Sequence, residues 1–336
     1  MKLDKHIQYF EKIKGGINPD REPGFCSAII QDGKIVHAIN HGLASMEHQV
    51  PLTGDSLFYL ASESKQFTAA CILHLISDKK LSLKQDVREI VKEASHFRSK
   101  ITIQNLLNHT SGIPDYFQYL DCSLDLVGGH ENDYFDNSHI MKIIDNCEPT
   151  FKPNTRHEYS NSNYIILAQI VKHVSGTQLA SYAKKHIFKP LKMSHSVYDI
   201  DRCKVIRNRV ASYTKSKNAY RVYLKNSCTV GDGGLLSSIN DLIKWEVNCH
   251  DNKHLPLSVV KGLTRRSKLS NGKLLTYANG LEVTIGKDKQ EYSFHGGGFG
   301  GFITDIIRVP SQKISVIYLS NNEGVGYTNG WYHKYF

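Results

Sequence analysis

Two residue pairs and one glycine-rich run in this chain have types and spacings suited to chemistry. Ser62-Glu63-Ser64-Lys65 places a hydroxyl three residues before an amine. Positions i and i+3 share one face of a helix, so a helix starting here sets Lys65 beside the Ser62 hydroxyl. Burial lowers a lysine pKa, and a neutral or transiently deprotonated Lys65 can take the hydroxyl proton and activate Ser62 as a nucleophile. The N–H groups and dipole of a helix N-terminus favour negative charge there. Tyr159-Ser160-Asn161 places a phenol two residues from an amide, just ahead of an apolar run. A tyrosine near a positive lysine can serve as general base or relay a proton to a leaving group. Asn161 both donates and accepts, which suits it to hold Lys65 and a substrate amide. Lys65 and Tyr159 both remain open as the base, because coupled groups do not titrate singly. His295 opens a run rich in glycine, through Gly296, Gly297 and Gly298, where backbone can come close to a ligand. Each motif alone has a bland reading: a capped surface helix, a packed aromatic, a structural histidine.

The elements that must position these residues follow from periodicity and punctuation. A helix is predicted over residues 65–79, with Phe67, Ala70, Cys71, Leu73 and Leu75 apolar. Tyr164 to Val174 reads as a buried helix closed by Gly176. Gln178 to Phe188 reads as another, stopped by Pro190. Near the N-terminus Ile7, Phe10 and Ile13 line one face of an amphipathic helix, and Asp32-Gly33 joins two β-rich runs as a hairpin. Strands are predicted at Leu281–Ile285, Tyr292–Phe294, Phe302–Val309 and Ile314–Leu319. The order is strands, a mainly helical middle, then strands. First and last strands can therefore share one antiparallel sheet flanked by helices, giving a mixed α/β (α+β) fold. A single domain over 1–336 is expected, with a sheet lobe of about 1–60 and 200–336 and a helical lobe of about 61–200. The active site falls in the crevice between the lobes.

Composition narrows the function. The 336 residues are 40% hydrophobic and 22% charged, enough for a large core. The net charge of +10 comes from scattered basic residues, with no zinc finger, aromatic RNA-binding signature or basic helix run, so no nucleic-acid partner is inferred. No run of 18 apolar residues exists, so no membrane span is expected. The segment MKLDKHIQYFEKIKGG lacks an apolar signal core, and the seven cysteines form no C-x-x-C. Both observations suggest a reducing, cytoplasmic setting, or a periplasmic or secreted one had a leader been removed.

The segment from Phe58 to Ala69 resembles the serine β-lactamase and penicillin-binding protein superfamily. The nearest branch looks like class C β-lactamases, D-alanyl-D-alanine carboxypeptidases and related esterases. S-x-x-K, Y-x-N and K/H-x-G occur in that order, as Ser62…Lys65, Tyr159-Ser160-Asn161 and His295-Gly296-Gly297. Further matching segments are Pro51–Ser56, Ile101–Gly112, Asp232–Ser238 and Asp241-Leu242, so the likeness covers roughly residues 20–320. The resemblance implies Ser62, Lys65, Tyr159 and His295 as catalytic residues. It implies Asn161, Gly297, Gly298 and Tyr116 as substrate contacts. The N–H groups of Gly298 and Ser62 would form the oxyanion hole, and His295, where many β-lactamases have lysine, would be a cation of pH-dependent strength. It implies acyl transfer to water through an acyl-enzyme, on a small-molecule or peptide substrate, with no metal or organic cofactor. An esterase or D-amino-acid peptidase-like hydrolase is the first reading. A β-lactamase or a non-catalytic binding relative is the alternative, because fold and motif do not choose the substrate. The superfamily's long final helix has only Ser320–Phe336 to match it, which leaves three readings: Trp331, Tyr332 and Phe336 cover the sheet instead, the chain is truncated, or a partner covers an exposed apolar face.

Two other patterns are rejected. Gly296, Gly298 and Gly301 satisfy G-x-G-x-x-G, but a strand-like run follows where a dinucleotide site needs a helix. The 17 histidines form no H-E-x-x-H, and no G-x-S-x-G elbow occurs.

Overall fold

Alternation of side chains decides how the sheet is buried. In the computed structural model, which describes residues 3–120, 135–201, 203–217, 219–223 and 227–323, the strand Phe25–Gln31 (β1) is covered on both faces. Phe25 and Ile29 join one apolar cluster, while Cys26, Ala28 and Ile30 join another. Lys34–His41 (β2) pairs with it through the Asp32-Gly33 turn. Both turn residues have positive φ, 50° and 76°, as the tight hairpin requires.

Four strands from the end of the chain complete the sheet: Glu282–Ile285 (β3), Glu291–Phe299 (β4), Phe302–Val309 (β5) and Ile314–Ser320 (β6). The order is β3-β4-β5-β6-β1-β2, antiparallel throughout. First and last strands are thus neighbours, with Phe25 opposite Ser320 and Gln31 opposite Ile314. β4 runs further than the expected Tyr292–Phe294, because Gly296, Gly297 and Gly298 stay in the ladder opposite Asp305, Thr304 and Ile303. They carry no side chain, but their backbone groups pair like any others.

Helices cover both faces. Leu3–Gly15 (α1) presses Phe10 against Phe25 and, in parallel stack 6.1 Å away, Tyr318. On the other face Ile239–Asp251 (α4) packs on β1 and β6, and Ser64–Ser77 (α2) shares their apolar cluster, while Asn161–Ser175 (α3) packs on α2. Every residue of α2 from Ser64 to Leu73 is buried, the mark of a helix enclosed by its neighbours. α3 begins three residues before the expected Tyr164 and ends at Gly176, whose φ of 72° closes it. The expected 178–188 helix is an α-helix only over Leu179–Ala183 and widens into a π-turn at Lys184–Phe188. No helix among the described residues is long and apolar enough to cross a membrane. Trp331, Tyr332 and Phe336, which one reading sets over the sheet, lie outside the described residues.

A buried ion pair ties α4 to the sheet. Arg308 on β5 meets both carboxylate oxygens of Glu246, at 2.5 and 2.6 Å, and Ser315 donates to the same carboxylate at 2.7 Å. Gln66 of α2 accepts from Arg308 and from the Trp245 indole, so helix, helix and sheet meet at one polar knot. Truncating one partner strands the other charge. Arg308→Met should cost about 3–5 kcal/mol in urea unfolding, and Arg308→Met with Glu246→Leu should recover much of that loss. Equal destabilisation by single and double variants would show that the pair's charge is not what matters.

Candidate active site

The turn that carries Ser62 combines a strained backbone with close packing. Ser62 sits in a 3-10 turn, Ala61–Glu63, immediately before α2, rather than in the helix itself. Ala61, preceding it, has φ of 47°, a left-handed conformation that costs a residue with a Cβ roughly 1–2 kcal/mol. Strand β4 lies directly against this turn. A Cβ on Gly297 would stand 2.3 Å from the Leu60 carbonyl oxygen and 2.4 Å from Thr304 Oγ1, so only glycine fits. Gly280, with φ of 80°, allows a similar approach to the Lys65 carbonyl.

Lys65 is fully buried, and its Nζ has three partners: Ser62 Oγ at 3.0 Å, Asn161 Oδ1 at 2.8 Å and the Asp232 carbonyl at 2.7 Å. The last two can only accept, so they fix two protons of the amine. The third position faces Ser62, as an N–H in the ammonium and as a lone pair in the neutral amine. Tyr159 Oη donates to the same Ser62 Oγ at 3.1 Å, and Lys65 Nζ stands 5.0 Å from the Tyr159 ring centre. The serine hydroxyl thus touches two proton carriers at once.

Asn161 is held by a residue the sequence motifs did not single out. Asp115 Oδ2 accepts from the Asn161 backbone N–H at 3.0 Å and from its side-chain Nδ2 at 2.8 Å. The second bond turns Asn161 Oδ1 toward Lys65. The first caps α3 from another segment, which explains why the helix starts at Asn161 although Ser160 offers no side-chain cap. Tyr116 is buried, donates its hydroxyl to Asp232 Oδ2 at 2.8 Å, and stacks on Phe117, whose ring is exposed. Burial pushes the Asp232 carboxyl upward, with Lys65 opposing that shift. Tyr116, Phe117, Asn161, Asp232 and Gly298 line a pocket of about 100 Å³ around Ser62.

His295 differs from the expected pH-dependent cation. It is buried, and its Nδ1 lies 2.7 Å from the Gly296 carbonyl, which can only accept, so Nδ1 carries the proton. Nε2 then accepts from the Tyr277 hydroxyl at 2.9 Å. Burial, aided by the Lys65 charge, pushes this imidazole down to about 3, so it is neutral near pH 7. His109 belongs to the same aromatic layer. Its ring lies 4.3 Å from that of Tyr159, and its Nδ1 accepts from the Ser160 N–H and from Asn163 Nδ2. Burial holds it well below the usual histidine range. Tyr277 carried no sequence signal, whereas His109 and Asp232 lay within segments already matched.

A serine turn open to a pocket, a lysine shared with an amide, and a tyrosine just ahead of a helix, set against an antiparallel sheet, match the arrangement of the serine β-lactamase class. The Beta-lactamase family model matches residues 11–333, and the chain belongs to that family. It is 26% identical over 303 residues to a D-aminopeptidase of Gluconobacter oxydans, covering 89% of this chain and 56% of that protein. It is 28% identical over 312 residues to penicillin-binding protein 4* of Bacillus subtilis, covering 87% of this chain and 67% of that protein. The octameric penicillin-binding protein homologue from Pyrococcus abyssi superposes with a TM-score of 0.80 at 24% identity, over 96% of this chain and 74% of that one. The chain thus spans little more than half the length of the D-aminopeptidase it matches.

The positioning role of Asp115 has a kinetic signature. Asp115→Ala should lower kcat about 10–100-fold, the weight of a charge-assisted hydrogen bond of about 1.5–3 kcal/mol, with a small change in KM. Unchanged kcat would separate Asp115 from the site. His295 gives a pH signature in stability. In the unfolded chain it binds a proton near its ordinary value of 6.5, but in the fold only near 3. Stability is therefore full above about pH 7 and falls as pH drops toward 3, by up to about 1.4 kcal/mol per pH unit for this residue. In chemical unfolding between pH 6 and 4, His295→Gln should flatten the slope by about that amount. An unaltered slope would show that His295 titrates normally in the fold.

Proposed function

We propose that this chain hydrolyses an ester or amide through an acyl-enzyme on Ser62, in the manner of an esterase or D-amino-acid peptidase. The observation that carries the reading is the Ser62 hydroxyl held at 3.0 Å from Lys65 and 3.1 Å from Tyr159. Ser62 Oγ attacks the substrate carbonyl carbon and its proton passes to Lys65 or Tyr159. The oxygen that becomes negative is received by the N–H groups of Ser62 and Gly298. Tyr159 delivers the proton to the leaving oxygen or nitrogen as the bond to it breaks. Water then repeats the sequence on the acyl group and frees Ser62. Tyr116 forms part of the substrate pocket's floor, and Gly297 keeps β4 close enough for Gly298 to reach the substrate.

The state of His295 bears on the substrate. Class C-type β-lactam or D-alanyl-D-alanine substrates bring a carboxylate. Here the histidine of the third motif is neutral with both ring nitrogens engaged, and no described residue lining the pocket is Lys, Arg or His. A neutral ester or amide, or a substrate carrying an ammonium near the Asp232 carboxylate, fits that surface better than an anion does. The D-aminopeptidase likeness agrees with this preference.

A fluorophosphonate should add one label per chain, at Ser62, mapped by peptide mass spectrometry. Lys65→Ala should slow labelling by about 10²–10⁴, the usual size of a general-base effect. In a substrate panel, p-nitrophenyl esters and D-amino-acid amides should turn over faster than nitrocefin. Label on Ser64 or on a cysteine, or no label, would remove the mechanism, and nitrocefin as the best substrate would replace the substrate class.

A further inference from the structure

Next to the Ser62 pocket lies a second cavity, of about 350 Å³, that the proton-transfer groups do not use. The two share Tyr59, Ser227 and Phe299, so they are adjoining parts of one cleft. The larger one is walled by the rings of Tyr59, Tyr223 and Phe299 and by Val222, Leu236 and Phe302. Its charged lining residues, Arg209 and Asp199, are bonded to each other at 2.9 Å. Its volume is at the low end of the roughly 300–1,000 Å³ typical of ligand pockets, which suits a side chain or acyl chain.

The wall is built. Tyr223 donates its backbone N–H to Ser212 O at 2.9 Å. Its ring lies so close to Gly300 that a Cβ there would stand 2.2 Å from it, and Gly300 has φ of 56°. Phe299 meets Tyr223 edge-on at 5.7 Å and Tyr59 at a tilt, also at 5.7 Å. Three aromatic rings are thus held in series, with Tyr223 partly open to solvent.

Strand β4 gives the cleft its direction. Alternation places His295, Gly297 and Phe299 on one face, the face on which Gly297 meets the nucleophile turn. His295 and Phe299 are four residues apart, about 13 Å along a strand. Tyr159 lies toward the His295 end, with ring centres 6.3 Å apart. If Tyr159 protonates the leaving group, as the proposed function has it, the leaving group lies toward His295 and the acyl part toward Phe299. We infer that the aromatic cavity beyond Phe299 binds the acyl portion of the substrate, and that the preferred acyl group is large and apolar, such as an arylacetyl or medium-chain acyl group.

The test uses p-nitrophenyl acetate, butyrate, hexanoate and phenylacetate. Each methylene buried is worth about fourfold, so kcat/KM should rise about 10²-fold from acetate to hexanoate, with phenylacetate near the top. Val222 is half exposed at the end of the strand Ala219–Val222 and lines the cavity, so Val222→Trp adds bulk at its wall. It should cut the phenylacetate-to-acetate ratio by at least tenfold, while Tyr223→Ala should shift the optimum to longer chains. A ratio is read within one variant, so partial loss of folded protein does not alter it. A flat series in the wild type, or an unchanged ratio in Val222→Trp, overturns the inference. So does a Val222→Trp effect seen instead in acetyl esters of lengthening alcohols. Failure of the catalytic reading looks different: no ester is turned over and Ser62 takes no fluorophosphonate. The cavity is then read by calorimetric titration with phenylacetamide. Binding by wild type that Val222→Trp weakens at least tenfold supports the pocket, and equal binding or none by both overturns it.

Discussion

A buried amine cannot be left without hydrogen-bond partners, and Lys65 makes that demand at the centre of this protein. Taking such a polar group out of water is costly unless well-placed partners replace the water it loses. The partners come from three segments: the turn at Ser62, the start of α3 at Asn161, and the loop carbonyl of Asp232. Each must arrive within about 3 Å, so one side chain fixes the relative placement of α2, α3 and the loop leading to the short strand Leu235–Ser237. Asp115 extends the constraint outward by setting the Asn161 amide and capping α3 with one carboxylate oxygen. The interaction that ties these segments together is thus the same one that sets Lys65 against the Ser62 hydroxyl.

The second requirement is steric. β4 approaches the nucleophile turn until no side chain fits at Gly297, and the turn itself holds Ala61 in a left-handed conformation. Strain of this kind persists only where surrounding structure over-determines it. Here the surroundings are the sheet, through Thr304 Oγ1 of β5 donating to the Leu60 carbonyl at 2.9 Å, and Glu63 at the other end of the turn. Glu63 is buried, and its carboxylate accepts from the Ile306 N–H and from Gln66. The residue between Ser62 and Ser64 therefore fastens the turn to β5.

Much of this was legible in the chain because it rests on local rules. The i,i+3 spacing of Ser62 and Lys65, the Asp32-Gly33 turn and the helix end at Gly176 each follow from neighbouring residues. Motif order gave Tyr159, Asn161 and His295. What escaped was set by distant partners. Asp115 moved the start of α3, the ladder with β5 drew three glycines into β4, and Tyr277 with burial made His295 neutral. Tyr116 shows the same limit: its position was found, but its bond to Asp232 depends on a segment more than a hundred residues away.

The pairing of β1 with β6 joins positions 25 and 320, and this has a consequence for assembly in time. Closing so long a loop carries a length-dependent entropy cost of about 5 kcal/mol, which the sheet's contacts must overcome before they stabilise anything. During synthesis the helical residues around Ser62, Lys65 and Asn161 emerge well before β4, β5 and β6. A nascent chain can therefore hold its serine and lysine while still lacking the strand that supplies Gly298. The site is thus assembled in the order of synthesis, with β4 reaching the Ser62 turn only after the helices that carry Lys65 and Asn161 have been made.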